Sequence, residues 1–243
     1  NRSTEHAIAQ SMRMVQIQHL HFVVDVDIKG FFDNVNHAKL MRQMWTLGIQ
    51  DKRLLCIIKE MLKAPVVLPN GEKTYPDKGT PQGGILSPLL SNIVLNELDW
   101  WVSSQWEDIP THTVIKEGTA KNGTPNRSNK CRTLRRSNLK GMYIVRYADD
   151  FRIFCRKRSD AVKTYHAVKQ WLEERLKLQI SEEKSKVVNL KKNYSEFLGF
   201  KLKAVLRGDK YIVRSHMCDK AIQNTTKKLK AQIDYIQHPV NRK

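Results

Sequence analysis

An α+β fold, with helices laid on one face of an antiparallel sheet, is what this chain predicts. Three observations carry it. The stretch Tyr143 to Phe154 sets two short apolar runs on either side of Asp149-Asp150, the pattern of a tight hairpin. A β-branched run, His21 to Ile28, supplies another strand far upstream. Segments with apolar residues at helical spacing lie between and after these. With 243 residues and 40% hydrophobic composition, the chain can bury a sizeable core.

In chain order, Ser3-Thr4-Glu5 is a helix start with Thr4 as N-cap, and Ala7, Ile8, Met12 and Val15 carry that helix to about Gln18. After the His21–Ile28 strand, Lys29 to His37 forms a turn into a helix over Ala38–Leu47, which Gly48 stops. A second helix covers Lys52–Leu62. Asn70-Gly71, midway between Pro65 and Lys78, predicts a hairpin on type I′ turn chemistry. Gly79 to Pro88 is a glycine- and proline-rich loop that delivers the chain into a helix over Leu89–Trp101, with Pro88 suited to its first turn. Ile109 to Asn138, rich in Lys, Arg, Asn, Thr and Gly, reads as a mobile basic insertion. Beyond the Asp-Asp hairpin come an amphipathic helix over Asp160–Leu178 and strands over Lys186–Leu190 and Glu196–Leu202. Lys210–Val213 closes a small hairpin, and a lysine-faced helix covers Met217–Ile236.

Net charge is +19 and pI about 9.9, which points to a polyanionic partner, nucleic acid first. No apolar run is long enough for a membrane span, so a membrane is not an expected partner. The four cysteines are widely spaced, which disfavours a zinc site or a disulfide framework and makes a reducing compartment the default. The chain opens on Asn1 within a helical pattern and without a signal peptide, so it reads as an excerpt of a longer protein, cytoplasmic in a bacterium or organellar.

Asp25 and Asp27 sit two apart on one strand and so share a face. Aspartate is a poor strand residue, and a pair of them needs a reason. One reason is an edge strand with its charges in water. The other is a metal site in which Asp27 meets Asp149 and Asp150. Oxygen ligands without His or Cys suit Mg²⁺. Three clustered carboxylates can hold two such ions about 3.5–4 Å apart, one activating an attacking hydroxyl and one stabilising a leaving pyrophosphate.

Three segments then fall into a known order. Asp27-Ile-Lys-Gly-Phe-Phe32-Asp-Asn-Val-Asn-His37, Gly79-Thr-Pro-Gln-Gly-Gly-Ile-Leu-Ser-Pro-Leu-Leu-Ser-Asn92 and Arg146-Tyr-Ala-Asp-Asp-Phe151 resemble the polymerase motifs of reverse transcriptases, most of all the maturases encoded by group II introns. Ser181-Glu-Glu-Lys-Ser-Lys186 and Phe197-Leu-Gly-Phe200 resemble the two motifs that follow the catalytic hairpin in that family. The ordered set covers nearly the whole chain.

The resemblance implies a right-hand polymerase palm with part of the fingers over residues 1–215, including the 109–138 insertion. Residues 216–243 would be the start of a thumb or a C-terminal helix. It implies Asp27 and Asp149 as principal metal ligands, Asp150 as the supporting carboxylate, and Ile28 beside Asp27 in the metal set, with two Mg²⁺ ions or Mn²⁺ as a substitute. Asp25 falls outside the catalytic position and takes the structural reading. Phe32 would be an aromatic gate against a 2′-OH, with Phe31 in the core. Gln82 and Gly83 would lie near the incoming nucleotide, Lys184 would stabilise or protonate the pyrophosphate, and Phe197, Leu198 and Gly199 would grip the primer end. Lys130, Arg132, Arg135 and Arg136 of the insertion, with Lys227 and Lys228, are the expected RNA-phosphate contacts.

The implied partners are intron RNA, an RNA template, a DNA primer and deoxynucleoside triphosphates, and a homodimer is left open. The family's most N-terminal motifs and most of its thumb are not represented, although Ser3 to Ala7 resembles the tail of one such motif. Two readings compete. An RNA-dependent RNA polymerase is opposed by Phe32, whose ring would clash with a ribose. A non-catalytic intron-RNA-binding module is opposed by the intact aspartates.

Overall fold

The computed structural model describes residues 3–67, 70–81, 83–110, 118–119, 123, 125–126, 128–137 and 139–237. Helix α1 spans Thr4–Gln16, strand β1 Phe22–Val26, and the short helix α2 Phe31–Asn34. Helices α3 (His37–Thr46) and α4 (Lys52–Lys63) follow, then the strand pair β2 (Val66–Val67) and β3 (Lys73–Thr74). The long helix α5 (Ser87–Ser104) precedes β4 (Gly118–Thr119), β5 (Pro125–Asn126) and α6 (Ser128–Arg136). The central hairpin is β6 (Met142–Tyr147) and β7 (Asp150–Cys155), after which α7 (Arg158–Trp171) runs into a π-helical turn over Leu172–Leu176. Strands β8 (Lys186–Asn189), β9 (Ser195–Phe197), β10 (Phe200–Arg207) and β11 (Lys210–Met217) lead to the final helix α8 (Asp219–Gln237).

Local chemistry accounts for the helix starts. Asn36 caps α3 by accepting from the Lys39 N–H at 2.9 Å, and Asp51 caps α4 by accepting from Arg53 and Leu54 N–H. The first helix is capped by Ser3 rather than Thr4, the Ser3 side chain accepting from the His6 N–H. Pro88 occupies the first turn of α5 as its fixed φ favours.

The main sheet is antiparallel with order β6-β7-β1-β8. Because side chains alternate, each strand splits between two cores. Val24 and Val26 of β1, with Phe151 and Ile153 of β7, pack against α3, α5 and α7 through Leu40, Leu95, Leu98 and Val168. Val23 and Phe154 point the other way, toward Met14 and Val15 of α1 and Phe197 and Leu202 of the second sheet. That sheet, in order β11-β10-β9, lies with α1 on the face the helices leave open. The antiparallel sheet backed by helices is therefore present, and its second face is covered as well.

Four local expectations change. The strand expected over Glu196–Leu202 is two strands that turn at Leu198-Gly199. Phe197 pairs with Phe200, and both turn residues have positive φ (49° and 82°), the type I′ signature. The β2–β3 hairpin forms, but its last pair is Val67 with Lys73, a wider separation than a two-residue I′ turn at Asn70-Gly71 allows. The basic insertion contains α6, with Leu134 buried; the mobility expected of it falls partly on residues outside the described set. The small hairpin at Lys210–Val213 is the long β10–β11 ribbon, paired from Phe200 with Met217 to Arg207 with Lys210.

Candidate active site

Strand β1 ends at Val26, and Asp27 follows on the face that also carries Asp25. Opposite, the β6–β7 turn presents Ala148 and Asp149 between the paired residues Tyr147 and Asp150. Asp27, Asp149 and Asp150 line one open cleft of about 760 Å³, with Asp25, Arg152, Glu183, Lys184, Lys186, Tyr194, Glu196 and Lys201. The segment after α7 closes its side. Ser181 N–H donates to the Asp27 carbonyl at 2.8 Å, and the Ser185 hydroxyl accepts from the Asp27 N–H at 3.1 Å. These bonds bring the Lys184 ammonium to 3.7 Å from Asp27 Oδ2. Ile28 lines the cleft while its side chain is buried in the helical core, so only its main chain is available there.

Asp25 is not a solvated edge charge. Strand β1 is internal to the sheet, and Asp25 is buried opposite Arg152, with Oδ1 2.9 Å from the guanidinium Nε. The Ser195 hydroxyl donates to Asp25 at 3.0 Å, Arg152 Nη1 donates to Asp150 Oδ1 at 3.0 Å, and the guanidinium lies 4.3 Å from the centre of the Phe197 ring. Burial pushes both carboxyls above the ordinary aspartate range, Arg152 opposing the shift at each. At Asp150 the Leu198 N–H opposes it too. Asp150 is thereby tied to Arg152 and to the Leu198 turn, whereas Asp27 and Asp149 keep their carboxylates toward the cleft.

The loop around Gly79 and the turn around Phe32 are joined by a second set of contacts. Phe31 is in the core and Phe32 is half-buried beside it, the rings meeting edge to face at 5.4 Å. Gly79 N–H donates to Val35 O at 2.7 Å, Thr80 N–H to Phe32 O at 2.6 Å, and His37 Nε2 to Gly79 O at 2.6 Å. The loop that carries Gly83 is thus laced to the Phe32 turn; Gln82 lies outside the described residues.

The expected RNA contacts are not gathered at the cleft. Arg132, Arg135 and Arg136 are exposed on α6, Lys130 is half-buried there, and Arg135 donates to Gln18 beyond α1. Lys227 and Lys228 are exposed on α8, none of whose residues is buried. Sequence reasoning assigned no role to Arg152, Ser195, Lys201 or Arg146. Period two was the available signal for Arg152, which shares a face with Asp150 and falls opposite Asp25 once the strands are paired.

Among the described residues no three His, Cys, Asp or Glu side chains converge as a preformed metal cage. Two carboxylates at one cleft still fit Mg²⁺, which binds through one or two carboxylates together with substrate phosphates and water.

An antiparallel sheet with acidic residues at adjoining strand ends and a lysine beside them, in a strongly basic chain, defines a class: α+β domains with a carboxylate cleft suited to a divalent cation and phosphate groups. Residues 1–202 match the family described as reverse transcriptase (RNA-dependent DNA polymerase), and the chain belongs to that family. Within it, the group II intron-encoded protein LtrA of Lactococcus lactis is 32% identical over 213 residues, covering 74% of this chain and 34% of LtrA. The putative COX1/OXI3 intron 2 protein of Saccharomyces cerevisiae is 26% identical over 82% of this chain and 27% of its own length. The chain thus spans about a third of such relatives. Apo telomerase from Candida tropicalis shares the fold at a TM-score of 0.54 and 11% identity, over 82% of this chain and 34% of that one. No helix among the described residues is long and apolar enough to cross a membrane.

Proposed function

We propose that this chain is the palm and part of the fingers of a group II intron-encoded reverse transcriptase and maturase, extending a DNA primer with deoxynucleotides on an RNA template. Residues 216–243 would begin the thumb or form a C-terminal helix. One observation carries the reading: Asp27 and Asp149, from distant parts of the chain, open into a single cleft with Lys184 at its edge.

In this mechanism the primer 3′-OH attacks the α-phosphate of the nucleotide in line, and the 3′–5′ phosphodiester forms as the bond to pyrophosphate breaks. Asp27 and Asp149, with the Ile28 main chain, would hold Mg²⁺ delivered with the triphosphate, or Mn²⁺ in its place. Such ions supply charge neutralisation and a more acidic hydroxyl. Asp150 supports the pair from its ties to Arg152 and the Leu198 turn. Lys184 would counter the charge on the departing pyrophosphate. Phe32 would block a 2′-OH, Gln82 and Gly83 would lie near the incoming nucleotide, and Phe197-Leu198-Gly199 would bear on the primer end. Lys130, Arg132, Arg135, Arg136, Lys227 and Lys228 would contact phosphates of template or intron RNA without reading sequence. A homodimer is compatible with this arrangement, as is a bacterial cytoplasm or an organelle.

The test is primer extension on an RNA template with Mg²⁺, comparing deoxynucleotides with ribonucleotides, beside Asp149→Ala. Extension with deoxynucleotides alone, abolished in Asp149→Ala while RNA affinity stays within a few-fold, is the expected result. Failure to extend, with RNA binding that weakens steeply with salt, would instead favour a non-catalytic intron-RNA-binding splicing module.

A further inference from the structure

The turn that carries Asp149 is held in a conformation its own residues do not favour. Ala148 has φ of 55°, a left-handed conformation in which a side chain with Cβ is strained. Asp149 is not among the positive-φ residues, so the φ pattern of the turn is that of type II′, where glycine normally holds the first central position. Type I′ and type II′ turns differ by a flip of the central peptide, here Ala148–Asp149. Whatever holds the Ala148 carbonyl therefore selects between them, and the choice reorients the backbone from which the Asp149 side chain departs.

Arg146 holds that carbonyl. Its Nη1 donates to Ala148 O at 2.7 Å and to Asn92 Oδ1 at 2.8 Å. Its Nε and Nη2 fork onto the Asp99 carboxylate at 2.9 and 2.6 Å. Asn92 and Asp99 lie seven residues apart on α5, on one face of the helix, and the Arg146 side chain is 12% exposed. A cavity of about 430 Å³ bordered by Pro88, Asn92, Asp99, Ile144, Arg146, Tyr147 and Ala148 opens beside the turn. On that side the Ala148 carbonyl is held by the Arg146 guanidinium, while Asp150 on the other side is held by Arg152.

We propose that Arg146 is a positioning residue for nucleotidyl transfer: anchored on Asp99 and Asn92 of α5, its guanidinium fixes the Ala148–Asp149 peptide and so aims the Asp149 carboxylate into the cleft. The inference rests on the polymerase reading of that cleft. It also links the catalytic turn to α5, whose first residue follows directly on the loop of Gly83 and Gly84. Lysine cannot replace the arginine, because an ammonium lacks the planar fork needed to hold a carboxylate and a carbonyl together.

The experiment measures steady-state extension by the full-length protein, comparing wild type with Arg146→Lys, Asp99→Asn and the double variant. The expected result is a kcat reduced by about 10- to 100-fold in Arg146→Lys, as misplacement of a reacting group by about an ångström costs. KM for the nucleotide, the Kd for primer–template and the melting temperature stay within about twofold or a few degrees of wild type. The double variant is no slower than the worse single one, because the two side chains act as a unit. Ala148→Gly placed on Arg146→Lys recovers part of kcat, since glycine holds a positive φ without strain. An unchanged kcat in Arg146→Lys, or a loss that follows the folded fraction or RNA affinity, overturns the proposal. Should Arg146→Lys fail to fold, Asp99→Asn and Asn92→Ala carry the same comparison. Wild type that binds RNA but does not extend overturns the polymerase reading itself, which separates that failure from failure of the clamp.

Discussion

Asp25 and Arg152 are directly opposed across β1 and β7, joined at 2.9 Å and buried together, and they tie the main sheet at the carboxylate cleft to the second sheet. Arg152 reaches Asp150 from the same guanidinium, while Ser195 of β9 bridges to Asp25. Removing one member of a buried pair leaves an uncompensated charge, so Asp25→Ala is expected to destabilise the fold by about 3–5 kcal/mol. Urea denaturation measures this, and a double-mutant cycle with Arg152→Met should show strong coupling. A loss below about 1 kcal/mol would mean that water or Asp150 already satisfies Arg152.

Gly79 is the point at which the glycine-rich loop touches the Phe32 turn. A Cβ there would lie 3.0 Å from the carbonyl oxygens of both Phe32 and Asp33, and its φ is 92°. Gly79→Ala thus meets backbone on one side and a forbidden conformation on the other, and should cost about 2 kcal/mol or more. Gly83, with no described residue within 4 Å of its Cβ direction but φ of 79°, bears strain alone, so Gly83→Ala should cost less. Equal costs for the two would show that the loop yields to the added methyl at Gly79.

How much of this was readable beforehand depended on range. The Asp149-Asp150 hairpin was legible because an apolar alternation broken by two turn-type residues is a local signal, and the pairing of Tyr147 with Asp150 obeys it. The placement of β1 inside the sheet was not, because strand order is decided by packing between segments far apart in the chain. Asp25 consequently read as a solvated charge until its partner was in view. The Leu198-Gly199 turn was hidden for a different reason. Leu198 adopts a positive φ that leucine avoids, held by its packing on the second core, so Phe197 to Leu202 looks like one apolar strand with a glycine in it. At the candidate site, the aspartates were legible as carboxylates on a strand and at a hairpin turn, and Phe32 through motif resemblance, whereas the arginines that hold the turn emerged only from register and distance.

Phe32 and its neighbour Phe31 separate selectivity from stability. Phe31 is 3% exposed in the helical core, while Phe32 is half-buried against it. If Phe32 is the gate, Phe32→Val should raise ribonucleotide use relative to deoxynucleotide use by at least about tenfold, with modest loss of stability. Phe31→Val should do the reverse, lowering the melting temperature without changing sugar selectivity. Competition between the two sugars on one template reads the first effect. No change in selectivity for Phe32→Val would remove the gate from the mechanism.

His21 gives the fold a pH dependence whose sign can be worked out. It is buried at the start of β1 with its ring 4.9 Å from that of Tyr211, and Nδ1 has no hydrogen-bond partner among the described residues. Burial, reinforced by the positive charges of Lys191, His19 and Arg156, lowers its pKa from 6.5 to about 4. The folded chain therefore keeps His21 neutral where the unfolded chain already binds a proton. Its contribution to stability is fully present above about pH 6.5 and is lost progressively as pH falls toward about 4. The urea midpoint should drop between pH 7.5 and pH 5, and His21→Phe, which keeps a ring against Tyr211 but cannot titrate, should flatten that drop. An undiminished drop in His21→Phe would assign the dependence to other groups and leave His21 a packing residue only.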